Sequence, residues 1–350
     1  MKIETKLLKK AISKIINIIP TKEMLPIFKT LLFKLKNNKL YISATDSEIF
    51  GTVGFDCDSP DIDFCVDGRL LYDTVKMVND ETIELTHENN CLYVKTQTGK
   101  YKIICDNKDD FPKLENGNKE QIKIPKDNFI NDLKKVIYAV STYSFKPAMN
   151  GVYIGKDLVA TNGYYLSWVP NYNLDKPIII PTKIAHIIIR TEMELYDITT
   201  NNKFIKFYFQ DEDIKLFLTS KLIDEIYPNY EAVIPKDYKD YVIISREELL
   251  KAIKRSSIYS DKTTKKTILT FDEKLKIKSY NMDEGTESYE EIDCEIDGSS
   301  MDVAFNSEYL IMLLSSCNEE KIKIEYLEPL KAVKFSCDNH YNILMPLRLE

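Results

Sequence analysis

The sequence predicts an α+β fold made of three similar units that follow one another along the chain. Three observations support this: a weak internal repeat, a pair of amphipathic helical segments in each repeat, and short segments of alternating apolar and polar residues. The segments "KLYISATDSEIF", "DLVATNGYYLSW" and, more faintly, "KLKIKSYNMDEG" align at a period of about 120 residues, which is long enough for a domain. We therefore predict three repeated domains at residues 1–121, 122–241 and 242–350, each with two helices on antiparallel sheet.

Each unit opens with a segment whose apolar residues recur at helical spacing. In "TKLLKKAISKIINII" the residues Leu8, Ile12 and Ile15 share one face, and "DNFINDLKKVIYAVS" and "SREELLKAIKRSSIY" repeat the pattern. Ser245 and Glu248 have the spacing of a capping box at the start of the third segment. These three segments predict the first helix of each unit, with basic residues on the outer face.

A second helix and several strands complete each unit. The segments "DGRLLYDTVKMV", "PTKIAHIIIRTE" and "NSEYLIMLLSSC" predict the second helices. Alternation of apolar and polar residues is typical of strands with one buried face. It occurs in "ETIEL", "CLYVKT", "KFIKFYF", "IKLFLTS", "KIKIEYL" and "AVKFSC". Each unit is therefore predicted to pack two helices on an antiparallel sheet.

The overall charge excludes a protein that simply coats DNA. The chain has 48 Lys and Arg against 55 Asp and Glu, for a net charge of −7, whereas general nucleic-acid binders are usually basic. A protein that segregates its basic residues onto one surface remains compatible. No stretch reaches the ~18 apolar residues of a membrane helix, so we expect a cytoplasmic protein without a membrane partner.

Cysteine and histidine usage predicts neither a metal site nor a cofactor. The seven cysteines are odd in number and have no CxxC spacing, which is typical of free buried thiols in a reducing compartment. None of the three histidines, His87, His186 and His340, has a second likely ligand nearby in the sequence. The acidic segment "DCDSPDID" lacks the central Gly and final Glu of a calcium loop, and no Gly-rich phosphate loop is present.

Eight segments together resemble one family, the β sliding clamp of bacterial replicative DNA polymerase. They are "LPIFKTLLF", "ATDSEIF", "DDFPKL", "KPAMNGVYI", "LVATNGYYL", "LIDEIYPNYEAVIP", "FNSEYLIMLL" and "MPLRL", in the order that the family has them. The resemblance implies three repeated domains that form half of a ring, closed by a second copy head to tail. It also implies a non-catalytic homodimer that encircles duplex DNA without regard to sequence and that binds the replicative polymerase and the clamp loader.

The basic residues of the first helices then become candidates for DNA contact. Lysine and arginine attract phosphates of any sequence because phosphate carries no base identity. A solvated helix face is the alternative explanation for such residues. The resemblance adds one lysine in each of two loops, and the complete predicted set is Lys6, Lys10, Lys14, Lys22, Lys134, Lys135, Lys146, Lys251, Lys254 and Arg255.

The apolar C-terminal tip, "YNILMPLRLE", is unusual because chain ends are commonly polar. The resemblance implies a pocket at this tip that accepts a short peptide from partner proteins, and ordinary edge-strand packing is the alternative. The predicted pocket residues are Met149, Thr161, Gly163, Tyr164, Tyr165, Leu166, Pro228, Ala232, Val233, Ile343, Met345, Pro346, Leu347, Arg348 and Leu349. Family members commonly have His-Arg in place of Tyr164-Tyr165, Asp in place of Asn162 and Arg in place of Ala232, so we expect a more apolar or aromatic peptide here.

The resemblance also implies where two copies meet. Tyr101 and Ile103 of one copy would contact Ile258 and Tyr259 of the other. Charged residues at the rim would fix the register rather than the affinity: Arg69 and Lys76 would face Glu287, Glu290 and Glu291.

Two other functions remain open from the sequence. One is a scaffold with the same fold that recruits partners without holding DNA. The other is a nucleic-acid enzyme whose aspartates bind magnesium for phosphoryl transfer. The lysine stripes favour the DNA-encircling function over the scaffold.

Overall fold

The computed structural model describes residues 1–22, 25–113, 122–125, 127–142, 145–201 and 203–349. The chain folds into two compact units: unit 1 comprises Met1–Asp127 and Lys183–Leu222, and unit 2 comprises Asn128–Thr182 and Ile223–Glu350. The middle third of the chain therefore contributes to both units, and the three-domain boundaries stay a prediction. No helix in the described part of the chain is long and apolar enough to cross a membrane.

The three predicted helix pairs are confirmed. Their bounds are α1 Thr5–Ile15, α2 Gly68–Met77, α3 Phe129–Val136, α4 Thr182–Ile189, α5 Arg246–Ser256 and α6 Ser307–Ser316. Short 3-10 turns lie at Ile16–Ile18, Pro26–Lys29, Lys108–Asp110, Ile137–Ala139, Pro147–Asn150, Tyr230–Val233 and Ser257–Tyr259. The first helix of each pair is thus followed by one 3-10 turn, which ends it earlier than the apolar pattern suggested.

Local sequence explains where these helices begin and which face they bury. The predicted cap at α5 is present, because the Ser245 hydroxyl accepts a hydrogen bond from the backbone N–H of Glu248 at 3.4 Å. Asp67 caps α2 in the same way, through the backbone N–H of Leu70. In α1 the residues Leu8 and Ile12 are fully buried, as their helical spacing predicted.

Unit 1 is built on a 12-stranded sheet. Its strands, in the order in which they lie side by side, are β1 Lys2–Glu4, β6 Thr82–Glu88, β7 Cys91–Lys95, β8 Lys100–Asp106, β5 Ile62–Asp67, β2 Thr30–Lys36, β3 Lys39–Thr45, β4 Ile49–Asp56, β16 Lys215–Lys221, β15 Phe204–Gln210, β14 Glu194–Thr200 and β9 Ile122–Lys123. The pairing of β4 with β16 is antiparallel, with Leu218 opposite Gly51. It joins segments that are far apart in the sequence.

Unit 2 contains a nine-stranded and a four-stranded sheet. The nine strands are β13 Ile178–Pro181, β10 Gly151–Ile154, β11 Leu158–Thr161, β12 Tyr165–Val169, β25 His340–Leu344, β24 Val333–Cys337, β23 Lys321–Tyr326, β17 Asp240–Ser245 and β21 Glu295–Asp297. The four are β20 Thr286–Ile292, β19 Leu275–Asn281, β18 Lys266–Phe271 and β22 Met301–Asn306. The six segments predicted as strands are all confirmed.

The prediction of free thiols is wrong for two cysteines. Cys317, at the end of α6, and Cys337, at the end of β24, are joined by a disulfide. Cys57, Cys65, Cys91, Cys105 and Cys294 are free. The pairing brings together positions 20 residues apart with no recognisable spacing, because the approach of α6 to β24 is set by packing and not by local pattern.

Candidate functional site

The predicted pocket residues come together in unit 2 where β12 lies beside β25. Leu166 is opposite Ile343, and Tyr165 is opposite Leu344. The pairing continues past the end of β25, because the Met345 N–H donates to the Tyr164 carbonyl oxygen at 3.0 Å. The C-terminal tip is thereby held next to residues 164–166.

A tight turn presents Tyr164 at the start of β12. The Asn162 side-chain oxygen accepts hydrogen bonds from the N–H groups of Tyr164 at 2.9 Å and Tyr165 at 3.1 Å. Gly163 has φ +93°, a left-handed conformation that favours glycine. Asn162 makes the same backbone contacts that an aspartate would make, so the turn keeps its shape without a negative charge.

The floor of the pocket is part of a hydrophobic cluster. Leu166 and Ile343 pack in one cluster with Tyr230, Val159, Trp168 and Ala332. Tyr230 opens the 3-10 turn Tyr230–Val233, and its hydroxyl donates to the Asp157 carboxylate at 2.8 Å. This packing anchors the turn that carries the exposed residues Ala232 and Val233.

The pocket residues divide into a buried floor and an accessible wall. Leu166 and Ile343 are only 2% and 1% exposed. By contrast, Tyr164 is 64%, Val233 52%, Met345 40% and Leu349 36% exposed. The second group is therefore accessible from solvent, whereas the first group supports it from below.

A stack of tyrosines forms one side of the pocket, and sequence reasoning missed half of it. The Tyr165 ring lies 4.8 Å from the Tyr309 ring and 5.7 Å from the Tyr138 ring, and the Tyr164 ring is 6.4 Å from Tyr309. Burial, with the nearby Tyr309, raises the pKa of Tyr165 to about 12, so this side of the pocket is neutral. Tyr309 and Tyr138 lie on α6 and next to α3, and their helical patterns do not indicate that they converge.

The tip also has a structural role, as the alternative explanation held. The Leu347 N–H donates to the Ala304 carbonyl oxygen of β22 at 2.7 Å. The Lys266 Nζ donates to the Leu349 carbonyl oxygen at 3.0 Å. The backbone of the tip is thus fixed to the four-stranded sheet, while the side chains of Met345 and Leu349 stay accessible.

The predicted DNA-binding residues fall into two groups. Lys6, Lys22, Lys134 and Lys254 are exposed and make no ion pair with any residue in the described ranges. The others are engaged: Lys10 pairs with Asp211 and Asp213, Lys14 donates to the Thr191 carbonyl, Lys135 pairs with Asp132, Lys251 with Glu247 and Arg255 with Glu290. Lys146 also interacts with another residue, so it belongs to this second group. The first group has its full charge available to a phosphate, so it is the stronger set of candidates.

A cationic cleft in unit 1 adds residues that the sequence did not single out. Lys22, Arg69, Lys183, His186 and Arg190 line a cleft of about 530 Å³ between residues 17–22 and α4. Burial, with Arg190 nearby, lowers the pKa of His186, so the histidine is not one of the charges near neutral pH. Arg69, which was predicted at the dimer rim, instead donates to the Ile19 carbonyl oxygen at 2.9 Å in this cleft.

The two predicted dimer surfaces lie at strand edges and carry exposed apolar residues. In unit 1, β8 pairs with β5 only at Asp106 and Cys105, so 100–104 has no strand on its other side among the described residues. In unit 2, β20 is the edge of its sheet, and the 3-10 turn Ser257–Tyr259 contacts it. In that turn Ile258 is 78% and Tyr259 43% exposed. Unpaired edges of this kind can accept a strand of another chain.

The structure corrects one residue of this surface. Ile103 is 5% exposed and packs inside its own unit, whereas the adjacent Ile104 is 74% exposed. Successive residues of a strand point to opposite faces, and the sequence offered two isoleucines in a row. Tyr101 shares the face of Ile103 but is 45% exposed, whereas Ile104 lies on the other face. Tyr101 and Ile104 are therefore the apolar side chains of β8 that stay accessible, one on each face of this edge strand.

Comparison with known proteins decides the family. The N-terminal domain of the DNA polymerase III beta subunit matches residues 1–115, and the C-terminal domain of the same subunit matches residues 231–347. The chain belongs to the beta sliding clamp family. The resemblance that the eight segments carried is thereby confirmed.

Relatives align with this family member from end to end. The beta sliding clamp of Treponema pallidum is 25% identical over 97% of both chains, and that of Pseudomonas aeruginosa is 24% identical over 99% of both. Among solved structures, a DnaN sliding clamp from Bartonella birtlesii bound to griselimycin superposes with a TM-score of 0.93 at 21% identity, over 100% of this chain and 99% of that one. The Bacillus subtilis clamp gives 0.89 at 19% identity, with the same coverage. The α+β clamp fold is thus established over the whole chain.

Proposed function

We propose that this beta clamp family member is a DNA sliding clamp that encircles duplex DNA as a head-to-tail homodimer and keeps the replicative polymerase on it. The observation that carries the proposal is the match of both beta-subunit domains, in order, in a chain that follows solved clamps over its full length. The proposed role is binding alone, and it requires no catalytic step.

The exposed lysines suit contact with DNA that must be able to slide. Lys6, Lys134 and Lys254 lie on the first helices of the three repeats, and their charges are not neutralised by described neighbours. Phosphate contacts of this kind hold DNA without reading bases. The net charge of −7 leaves an acidic excess for the other surfaces, which discourages DNA from binding elsewhere.

The pocket suits recruitment of several partners, with the polymerase and the clamp loader as the expected ones. Its wall consists of Tyr164, Val233, Met345 and Leu349, and flexible or aromatic residues of this kind adapt to more than one peptide. Arg348 is the one basic residue among the predicted pocket positions. We therefore propose that the partner peptides are apolar or aromatic rather than acidic.

Topological retention tests the proposed function. The labelled protein is loaded onto nicked circular plasmid by a bacterial clamp loader and is then followed by gel filtration at moderate salt. We expect it to stay with the circle and to leave once a restriction enzyme linearises the plasmid, because a ring can slide off an end. Equal loss from both forms would refute encirclement, and retention on neither with intact partner-peptide binding would favour the scaffold function.

Removing the three unpaired helix lysines should weaken DNA binding in a salt-dependent way. For Lys6→Glu, Lys134→Glu, Lys254→Glu we expect the slope of log K against log salt for a short duplex to become shallower by about 2–3, since each phosphate contact contributes about 0.9. Fluorescence anisotropy at several salt concentrations measures it. The matched control replaces Lys36, Lys203 and Lys331, exposed lysines outside the helices, and an equal effect of the control would assign the loss to net charge alone.

A further inference from the structure

Three side chains of types that can ligate a metal meet in the core of unit 2, away from the accessible wall of the pocket. The ligand atoms of Cys317, Cys337 and His340 all lie within 4.8 Å of one another. The residues are 2%, 0% and 0% exposed. The expectation that none of the histidines lies near a second ligand is therefore wrong for His340.

The β24–β25 hairpin explains how two of these residues come together. Cys337 and His340 are cross-strand partners on either side of a two-residue turn, in which Asp338 has φ 44°. Both side chains face the core, and Cys317 reaches them from the end of α6. The spacing Cys-x-x-His at 337–340 is the sequence signal that could have indicated this arrangement.

One nitrogen of the buried histidine has no partner. His340 Nε2 lies 2.8 Å from the Ser167 hydroxyl oxygen. His340 Nδ1 is buried and makes no hydrogen bond within the described part of the chain. A buried polar atom without a partner is costly, and a histidine whose other nitrogen is held by a hydroxyl is arranged as metal-bound histidines usually are.

We propose that, with the disulfide reduced, Cys317, Cys337 and His340 Nδ1 form a buried site for one zinc ion. Two thiolates and an imidazole are the ligands that Zn²⁺ prefers. The two thiolate charges cancel the charge of the ion, so burying it leaves no net charge in the core.

The disulfide form must be reduced before the two cysteines can bind zinc. A dithiol reductant supplies two electrons and two protons to the Cys317–Cys337 bond and itself becomes a disulfide. Zn²⁺ then displaces the two thiol protons, which leave to solvent. In either state the end of α6 stays tied to the β24–β25 hairpin, which carries the strand next to Tyr165 and leads into the tip.

Cobalt substitution in the full-length protein tests the site. The chain is reduced with a phosphine, freed of metal under anaerobic conditions and titrated with Co²⁺. We expect the reduced chain to bind one Co²⁺ and to show sulfur-to-cobalt charge-transfer bands, and Zn²⁺ should displace the cobalt. The native mass of the zinc form should exceed that of the reduced, metal-free chain by one zinc less two protons. The oxidised wild type is the control that needs no mutation, and it should bind no cobalt in this way.

Variants assign the ligands. Cys317→Ser should abolish the charge-transfer bands, and His340→Gln should weaken Co²⁺ binding by more than about 100-fold, since even outer-shell partners are worth 10–100-fold. Cys294→Ser, at a free and half-buried cysteine, should bind like wild type, and circular dichroism checks that each variant is folded. The proposal fails if reduced wild type binds no stoichiometric Co²⁺, if the oxidised form binds equally, or if a folded His340→Gln binds as tightly as wild type.

Discussion

Replacing Ile258 with aspartate should convert the proposed homodimer into a folded monomer. Ile258 is 78% exposed in the chain, so the change costs the fold little, but it would place an uncompensated charge in the proposed dimer contact. Such burial costs several kcal/mol, and a two-fold ring contains two identical contacts. Sedimentation should show one chain per particle, with the circular dichroism of the wild type. Ile226→Asp, at an isoleucine that is 94% exposed outside the proposed contact, is the control and should stay dimeric.

A mixing experiment tests the head-to-tail arrangement. Ile104→Lys, on the opposite surface, should also be monomeric by itself. In a one-to-one mixture of Ile104→Lys with Ile258→Asp, however, one contact is wild type on both sides and the other brings Lys against Asp. We therefore expect dimers to return in the mixture. If Ile104→Lys alone stays dimeric, or if mixing restores nothing, the two copies do not meet through β8 of one and the β20 side of the other.

Shortening the accessible apolar side chains of the tip should remove most of the partner-peptide affinity. For Met345→Ala, Leu349→Ala we expect a polymerase-derived peptide to lose about 2–4 kcal/mol, roughly 30- to 900-fold in Kd, the scale of losing two central contacts. These changes are preferable to deleting the tip, because the Leu347 backbone is bonded to β22 and deletion would disturb that sheet. Fluorescence anisotropy measures the affinity, with Met282→Ala, exposed at 83% elsewhere in unit 2, as the control.

Replacing Tyr164 or Tyr165 with arginine should have different effects. Tyr164→Arg puts a positive charge at an exposed position and should improve binding of an acidic-flanked peptide while weakening a neutral-flanked one. Tyr165→Arg would place the charge inside the stack with Tyr309 and Tyr138, where Tyr165 is 7% exposed, and should destabilise the fold instead. Thermal unfolding of both variants separates the two effects. Unchanged peptide preference in Tyr164→Arg would show that Tyr164 does not contact the peptide. Wild-type affinity in the tip variant would make the tip purely structural.

The sequence by itself determined the local structure and the family. Helical spacing in "TKLLKKAISKIINII" and alternation in "CLYVKT" report backbone geometry and the buried face over a few residues, and α1 and β7 formed accordingly. The eight family segments, spread over the chain, identified the fold because each keeps a local pattern in a fixed order. The capping box at Ser245 is local for the same reason.

Only the tertiary structure decided which of these residues meet and which stay accessible. The pairing of β12 with β25, the convergence of Tyr309 on Tyr165, and the meeting of Cys317 with Cys337 and His340 each join residues distant in the chain. Two consecutive isoleucines on β8 could not reveal that Ile103 is buried and Ile104 exposed. A lysine stripe could not reveal that Lys10 is paired with aspartates while Lys6 forms no ion pair with a described residue. Periodicity records the environment of a residue along its own element, whereas register and packing between elements fix its partners.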